Sequence, residues 1–332
     1  MSPLADLKIL DFTTLLPGPY ATQILGDLGA EVLRIESPTR PDLLHTVPPF
    51  VGGTSAANAS INRNKRSLTL DLKNPQSTEI VKKLLADYDI VIEQFRPGVM
   101  SRLGLGYEQL KEICPDIIYC SITGYGQTGP MKDRAGHDIN YLATSGLASY
   151  SGRSDTGPVL SGTQIADVAG GSHHAVMGIL AAVIHRTATG QGQYIDISMT
   201  DAALALTTIT GASTLAGGKT PGLGTELLNG GVFYDYYRTA DNRYLSVGGL
   251  EPQFYTAMLK LMGLEQWIER VTDYRPDNQA ELRTVLEKTF AEKTAQQWLD
   301  LFGTTDVCIE LVQTLEEVRQ SGQFKQRGVF IE

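Results

Sequence analysis

Cysteine is scarce in this chain: three in 332 residues, Cys114, Cys120 and Cys308. An odd number without paired spacing supplies neither a disulfide framework nor a metal-ligand pattern, and fits a reducing compartment. Cys120 lies in an apolar run and reads as a small core residue. Positive charge is also short. Lys and Arg total 28 against 37 Asp and Glu, a formal net charge of -9. Without a clustered basic stripe this argues against a nucleic-acid partner, although a phosphorylated small molecule needs only a few local cations. The longest apolar run, residues 176–184, is too short to span a bilayer. Asp6 and Lys8 interrupt the N-terminus before the apolar core of a signal peptide could form. The ending Phe330-Ile331-Glu332 is not a peroxisomal address. The expectation is a cytoplasmic protein with no membrane and no nucleic-acid partner.

What is present is an ordinary α/β composition, 42% apolar and 20% charged. The length exceeds one ordinary core and favours two domains. Residues 7–12 read as a strand, 20–28 as a helix opened by Pro17-Gly18-Pro19 and closed by Gly29, and 31–36 as a second strand. That is a βαβ unit, hence a parallel sheet with a right-handed crossover. The turn lacks Gly-x-Gly-x-x-Gly, which speaks against a nicotinamide cofactor. Residues 38–64 are a loop long enough to be functional. Further strands are read at 67–72, 89–95, 117–123 and 194–199, with helices at 75–88, 107–114, 171–186 and 200–216. Residues 217–224 form a flexible stretch. Beyond it a hairpin at 232–238 and 243–247, several helices and a last strand at 307–312 read as a small α+β domain. The division expected is a large domain over 1–200, a linker over 201–227 and the small domain over 228–332.

Two titratable residues stand out. His137, in Gly136-His137-Asp138-Ile139-Asn140-Tyr141, and Asp167, in Ala166-Asp167-Val168-Ala169-Gly170-Gly171, each sit where a loop turns into a helix-patterned run. Such a pair can face one another across a cleft, one group giving and one taking a proton. The plain alternatives are an N-cap for Asp167 and a packed histidine for His137. Arg63-Asn64-Lys65-Arg66 is the densest positive cluster. It reads either as a solvated turn or, through Lys65 and Arg66, as a phosphate contact. Arg96 follows the strand over 89–95. Ligands of open α/β sheets bind outside the C-terminal ends of the strands, so Arg96 is the stronger phosphate candidate.

The chain resembles the family III CoA-transferases, and among them is most similar to the α-methylacyl-CoA racemases. The resemblance covers nearly the whole length. It is carried by Pro17-Gly18-Pro19, Asn64-Lys65-Arg66-Ser67-Leu68, Leu70-Asp71-Leu72-Lys73, Arg96-Pro97-Gly98-Val99, residues 136–141, Ala166-Asp167, Asn229-Gly230-Gly231 and Glu251-Pro252-Gln253-Phe254-Tyr255. It implies a large Rossmann-like domain with a small one, and a homodimer of interlocked subunits. It implies that His137 and Asp167 transfer the proton, with support from Glu251, otherwise a surface carboxylate at a helix start. It implies CoA contacts at Leu70, Asp71, Leu72, Lys73 and Arg96, and at Gly136, Asp138, Ile139, Asn140 and Tyr141.

An arginine usual after the second strand is replaced by Ser37, for which Arg40 is a substitute. Residues 48–66 look more like the transferase branch. The chain stops at Glu332, ahead of the segment that in the family returns to the large domain.

The reaction expected is racemisation of a 2-methylacyl-CoA through an enolate, needing no cofactor beyond the CoA of the substrate and no metal. Backbone N–H groups at the two helix starts are expected to stabilise the enolate. Two other readings stay open. One is CoA transfer between carboxylic acids, with Asp167 as the nucleophile of an acyl anhydride. The other is an inert CoA-binding protein.

Overall fold

The structure is a computed structural model that describes residues 2–331. Met1 and Glu332, the outer limits of the two expected domains, lie outside the described residues. The chain divides into two compact units.

The first unit takes the chain up to Ser149 and again over Leu160–Thr220. Its centre is a sheet of six strands: β1 (Lys8–Phe12), β2 (Glu31–Glu36), β3 (Lys65–Thr69), β4 (Ile90–Glu93), β5 (Ile118–Thr123) and β6 (Gln193–Ser198). Their spatial order is β6-β5-β4-β1-β2-β3, parallel throughout. Strands of a parallel sheet are covered on both faces and therefore read as nearly unbroken apolar runs. Ile9, Ile92 and Ile122 pack on one face with helices α1 (Pro17–Asp27) and α4 (His174–Thr189). Leu10, Val91 and Tyr119 pack on the other, with Val81 of α2 (Pro75–Leu84). Cys120 is fully buried in β5. Helix α3 (Asp138–Thr144) and helices α5 (Met199–Ala205) and α6 (Thr208–Leu215) also belong to the unit, with shorter helices at Ala56–Ile61, Val99–Arg102 and Tyr107–Lys111.

The second unit consists of Tyr150–Val159 together with the chain from Pro221 onward. It carries the antiparallel strands β7 (Asp235–Arg238), β8 (Tyr244–Val247) and β9 (Ile309–Leu311) in that order. Helices α7 (Pro252–Leu261), α8 (Pro276–Phe290) and α9 (Ala295–Phe302) pack on them around Tyr237, Phe290 and Trp298. The indole N–H of Trp298 donates to Phe290 O at 2.9 Å, so its burial leaves no polar atom unpaired. Asp235 accepts from Arg153 at 2.5 Å and from Arg283 at 2.6 Å, which ties residues 150–159 to this unit.

Three sequence expectations change. The boundary expected at residue 200 moves, because α5 and α6 stay with the first unit while residues 150–159 leave it. The helix expected over 200–216 is two helices, interrupted at Leu206 and Thr207. The helix expected from 171 starts earlier. Ala166–His173 forms a wide π-helical segment that runs on into α4. The continuous stretch Ala166–Thr189 is 24 residues, long and apolar enough to cross a membrane by length and composition. Ala175, Val176, Ile179 and Ala182 along it are nevertheless buried in the core of the first unit.

The basic cluster is also corrected. β3 begins at Lys65, two residues before the expected strand, and the Lys65 side chain turns inward. Its ammonium donates to Pro19 O at 2.8 Å and Asn62 Oδ1 at 2.9 Å, and lies 3.5 Å from Asp11 Oδ2. Three acceptors use up three donors, so no N–H remains for an external phosphate. Arg63 is paired with Asp27. Arg66 is exposed beside Glu31 at 3.3 Å. Asp11 is fully buried and also accepts from Thr13 and Thr22. Removing one member of a buried pair leaves the other charge without compensation. Lys65→Met is therefore expected to cost about 3–5 kcal/mol in urea unfolding. Unchanged stability together with weaker CoA binding would place the ammonium outside instead.

Candidate active site

The strand order reverses between β1 and β4, and the crevice of such a sheet opens outside the C-terminal ends at that point. A cavity of about 470 Å³ lies there, walled by the segments that follow β1, β4 and β5. Gln94, just beyond β4, spans the two diverging segments. Its amide donates to Thr14 O at 2.6 Å and accepts from the Gly18 N–H at 3.1 Å. Leu15, on the cavity wall, has a positive φ of 62°. That conformation is strained for a branched side chain. The Leu15 N–H is held by Asp42 Oδ2 at 2.9 Å, and Asp42 is itself pinned by Arg34 at 2.6 Å.

His137 and Asp167 both open onto this cavity. His137 caps α3 in an extended conformation, exposed, with its N–H donated to Asn140 Oδ1 at 3.0 Å. The loop before it is fixed by aromatic packing. Tyr141 and Tyr125 meet edge to face at 5.2 Å, and the Tyr141 hydroxyl donates to Gly136 O. A Cβ at Gly136 would come within 2.7 Å of the Tyr141 ring and 2.9 Å of the Tyr125 hydroxyl, so only glycine fits.

Asp167 sits in the first turn of the wide helical segment, one residue past its start, and is not its N-cap. Such π-type turns are rare and concentrate at functional sites. Small residues allow this one to press inward: a Cβ on Gly171 would meet Pro17 Cβ at 3.1 Å and Met199 at 3.2 Å. Ser172 Oγ donates to Pro17 O at 2.6 Å.

Between the two residues lies Asp138. Its Oδ1 accepts the N–H of Ala166 at 2.6 Å and of Asp167 at 3.1 Å, joining the start of α3 to the start of the wide segment. Those two N–H groups are therefore engaged by Asp138 and not free to stabilise an enolate.

The electrostatics follow from this packing. Burial pushes the Asp167 carboxyl up to about 6, the neighbouring Asp138 charge adds to the rise, and His137 opposes it. Burial and the Asp167 charge push the Tyr141 hydroxyl up to about 12. A carboxyl poised near neutrality beside a histidine is suited to general acid–base work.

Of the expected CoA contacts, Arg96, Gly136, Asn140 and Tyr141 line the cavity. Asp138 and Ile139 do not; the Asp138 carboxylate is turned onto the wide segment. Leu70–Lys73 follow the C-terminal end of β3, on the same edge of the sheet but two strands from β1. Arg40, the substitute for the replaced arginine, is exposed on a turn closed by its N–H to Ser37 Oγ at 3.2 Å. Glu251 caps α7 in the second unit and is exposed.

The sequence reading missed Lys132 and Arg134, which bring further positive charge to the cavity wall from the loop before His137. It also missed Glu93, at the end of β4. Arg96 borders a second cavity of about 410 Å³ that contains Glu93 and the rings of Tyr107, Tyr119 and Tyr194. Burial pushes the Glu93 carboxyl up to about 7, while it still accepts the Phe95 N–H at 2.7 Å. A carboxylate closing an apolar strand was the available signal.

A family model described as CoA-transferase family III matches residues 4–332. Succinyl-CoA:glutarate CoA-transferase of Mus musculus is 38% identical over 337 residues, spanning 100% of this chain and 77% of its own length. Alpha-methylacyl-CoA racemase of Homo sapiens is 37% identical over 329 residues, spanning 99% and 82%. The crystal structure of a CAIB/BAIF family protein from Brucella suis matches with a TM-score of 0.87 and 32% identity, covering 99% of this chain and 89% of that one.

A carboxyl whose folded pKa is raised favours the fold while protonated, and that contribution is lost as pH rises through the folded value. For Asp167 the window runs from about 4, the exposed aspartate value, to about 6. Asp167→Asn is expected to raise the melting temperature at pH 8 by roughly 2–4 °C, about 1 kcal/mol once the solvent-facing edge of the carboxylate is allowed for. The gain should shrink through pH 6 and vanish near 4. A difference independent of pH in thermal scans would contradict this environment.

Proposed function

The chain belongs to CoA-transferase family III, and from that premise we propose that it racemises 2-methylacyl-CoA thioesters. The observation that carries the reading is the pairing of His137 and Asp167 on one cavity at the switch point of the sheet. A thioester acidifies its α-hydrogen enough for enzymatic removal. One residue takes that proton, leaving an enolate, and the conjugate acid of the other returns a proton to the opposite face. In the reverse direction the two residues exchange roles. An Asp167 carboxyl held near 6 is ionised enough to act as base at neutral pH and basic enough to act as acid. The CoA enters as part of the substrate, with Arg96, Lys132 and Arg134 as the cations available to its phosphates. Glu251 stays in the proposal as a supporting carboxylate.

CoA transfer through an acyl anhydride at Asp167 is the second reading, favoured by the similarity to the succinyl-CoA:glutarate CoA-transferase of Mus musculus. It needs a single nucleophile, however, and gives no role to a histidine on the same wall. A protein that only binds CoA has no use for either residue.

Incubation of a 2-methylacyl-CoA in deuterated buffer is expected to remove the α-proton NMR signal and to produce both epimers. CoA exchange with a free acid, without deuterium uptake, would establish the transferase instead. His137→Ala and Asp167→Ala should each abolish inversion while leaving slow exchange of opposite enantiomers, reduced by about 10²–10⁴-fold. Inversion by His137→Ala at the parent rate would remove His137 from the mechanism.

Arg96→Ala should weaken binding of the CoA thioester by roughly tenfold, since a charge-assisted contact is worth about 1.5–3 kcal/mol. Calorimetric titration reads this directly, and an unchanged Kd would move the phosphates elsewhere.

A further inference from the structure

We propose that Asp138 is the positioning residue of the site: its carboxylate clamps the helix start that carries Asp167 to the helix start that follows His137, and so sets both the placement and the working pH of Asp167. This rests on the racemase reading and adds to it a residue that touches neither substrate nor the reacting atoms.

The geometry is specific. One oxygen of Asp138 receives two successive backbone N–H groups, Ala166 at 2.6 Å and Asp167 at 3.1 Å. Those groups begin a π-helical turn, where no preceding turn exists to bond them. Asp138 is half-buried and outside the cavity lining, whereas its neighbour His137 is exposed and on it. One peptide bond therefore separates the candidate acid–base group on one side of the cavity from the anchor of the group on the other. A displacement of either helix start would be passed to both.

The second consequence is electrostatic. A carboxylate hydrogen-bonded to the Asp167 backbone holds a negative charge next to the Asp167 side chain, and like charges disfavour double ionisation. Other titratable and charged groups lining the same cavity are His137 at the start of α3, Tyr141 on it, Lys132 and Arg134 from the preceding loop, and Arg96 from the segment after β4. On its own segment, His174 is engaged with Ala169 O at 2.7 Å, and His173 packs against Tyr20 at 5.9 Å. Asp138 is the acidic neighbour that raises Asp167, and His137 the basic one that lowers it.

The test uses two substitutions in the full chain. Asp138→Asn keeps a carbonyl oxygen for both N–H groups and removes the charge. Asp138→Ala removes both. The first readout needs no activity: the melting-temperature difference between Asp167 and Asp167→Asn, followed against pH in each background. In the Asp138→Asn background its midpoint should move down, because the neighbouring negative charge is gone. The second readout is the rate of α-proton exchange. Asp138→Ala should lose tenfold or more in kcat with KM for the thioester little changed. Asp138→Asn should recover most of that rate, with the acid limb of its pH profile displaced downward by the same amount as the thermal midpoint.

An unmoved midpoint and pH profile in Asp138→Asn would overturn the inference. So would Asp138→Ala exchanging at the parent rate, or a defect confined to KM, which would mark Asp138 as a CoA contact. Should Asp138→Ala fail to fold, the charge-only variant still decides. Should the parent transfer CoA without exchange, the racemase reading fails while the thermal midpoint continues to report on the clamp.

Discussion

A parallel sheet that winds outward from its centre in both directions must leave a gap where the two halves diverge. Here that gap lies between β1 and β4. The segments leaving their C-terminal ends turn toward opposite faces, and nothing in the sheet itself fills the space between them. The remaining parts of the site depend on this constraint. Gln94 spans the gap with one hydrogen bond to each side of its amide, and Leu15 is held on its wall in a conformation it would not adopt freely. The loop before α3 and the wide helical segment before α4 then cover the gap, which brings His137 and Asp167 to one cavity.

Charge in this acidic chain is spent in two ways. Asp11 and Lys65 are buried together and saturated with partners. Such a group costs heavily if half of it is removed. Asp167 is different. It is partly buried beside a second carboxylate; burial and that neighbour raise its carboxyl, and His137 opposes the rise without cancelling it. A carboxyl that burial raises on the wall of a cleft is a candidate functional group. Glu93 shares this character in the adjoining cavity.

Much of the first unit was legible in the sequence, because its central strands β1, β4 and β5 are buried on both faces. Ile9, Ile90 and Ile118 announce themselves as apolar runs punctuated by Gly29, Pro75 and Gly190. Motif position marked His137 and Asp167 for the same reason, since a helix start following a loop is a local feature. Lys65 was misplaced because its identity as a cation says nothing about which side of an edge strand it occupies. Pairing with β2 starts the strand two residues earlier than the apolar pattern does, which places Lys65 on it, and its long side chain turns inward. The wide turn at Ala166–His173 was invisible because Ala-Gly-Gly carries no periodicity, and its backbone spacing is imposed by contact with Pro17 and Met199.

The sequence by itself determined the α/β class, the parallel sheet and the loop-to-helix settings of His137 and Asp167. These depend on neighbours within one turn or one strand. Tertiary structure alone decided that Asp138 would face away from the cavity and hold Asp167, and that Lys65 would be buried. It also decided that residues 150–159 would join the second unit. Each of these is a long-range pairing whose partner lies 28 or more residues away. Which polar group meets which across such a distance is set by the order in which strands are laid into the sheet.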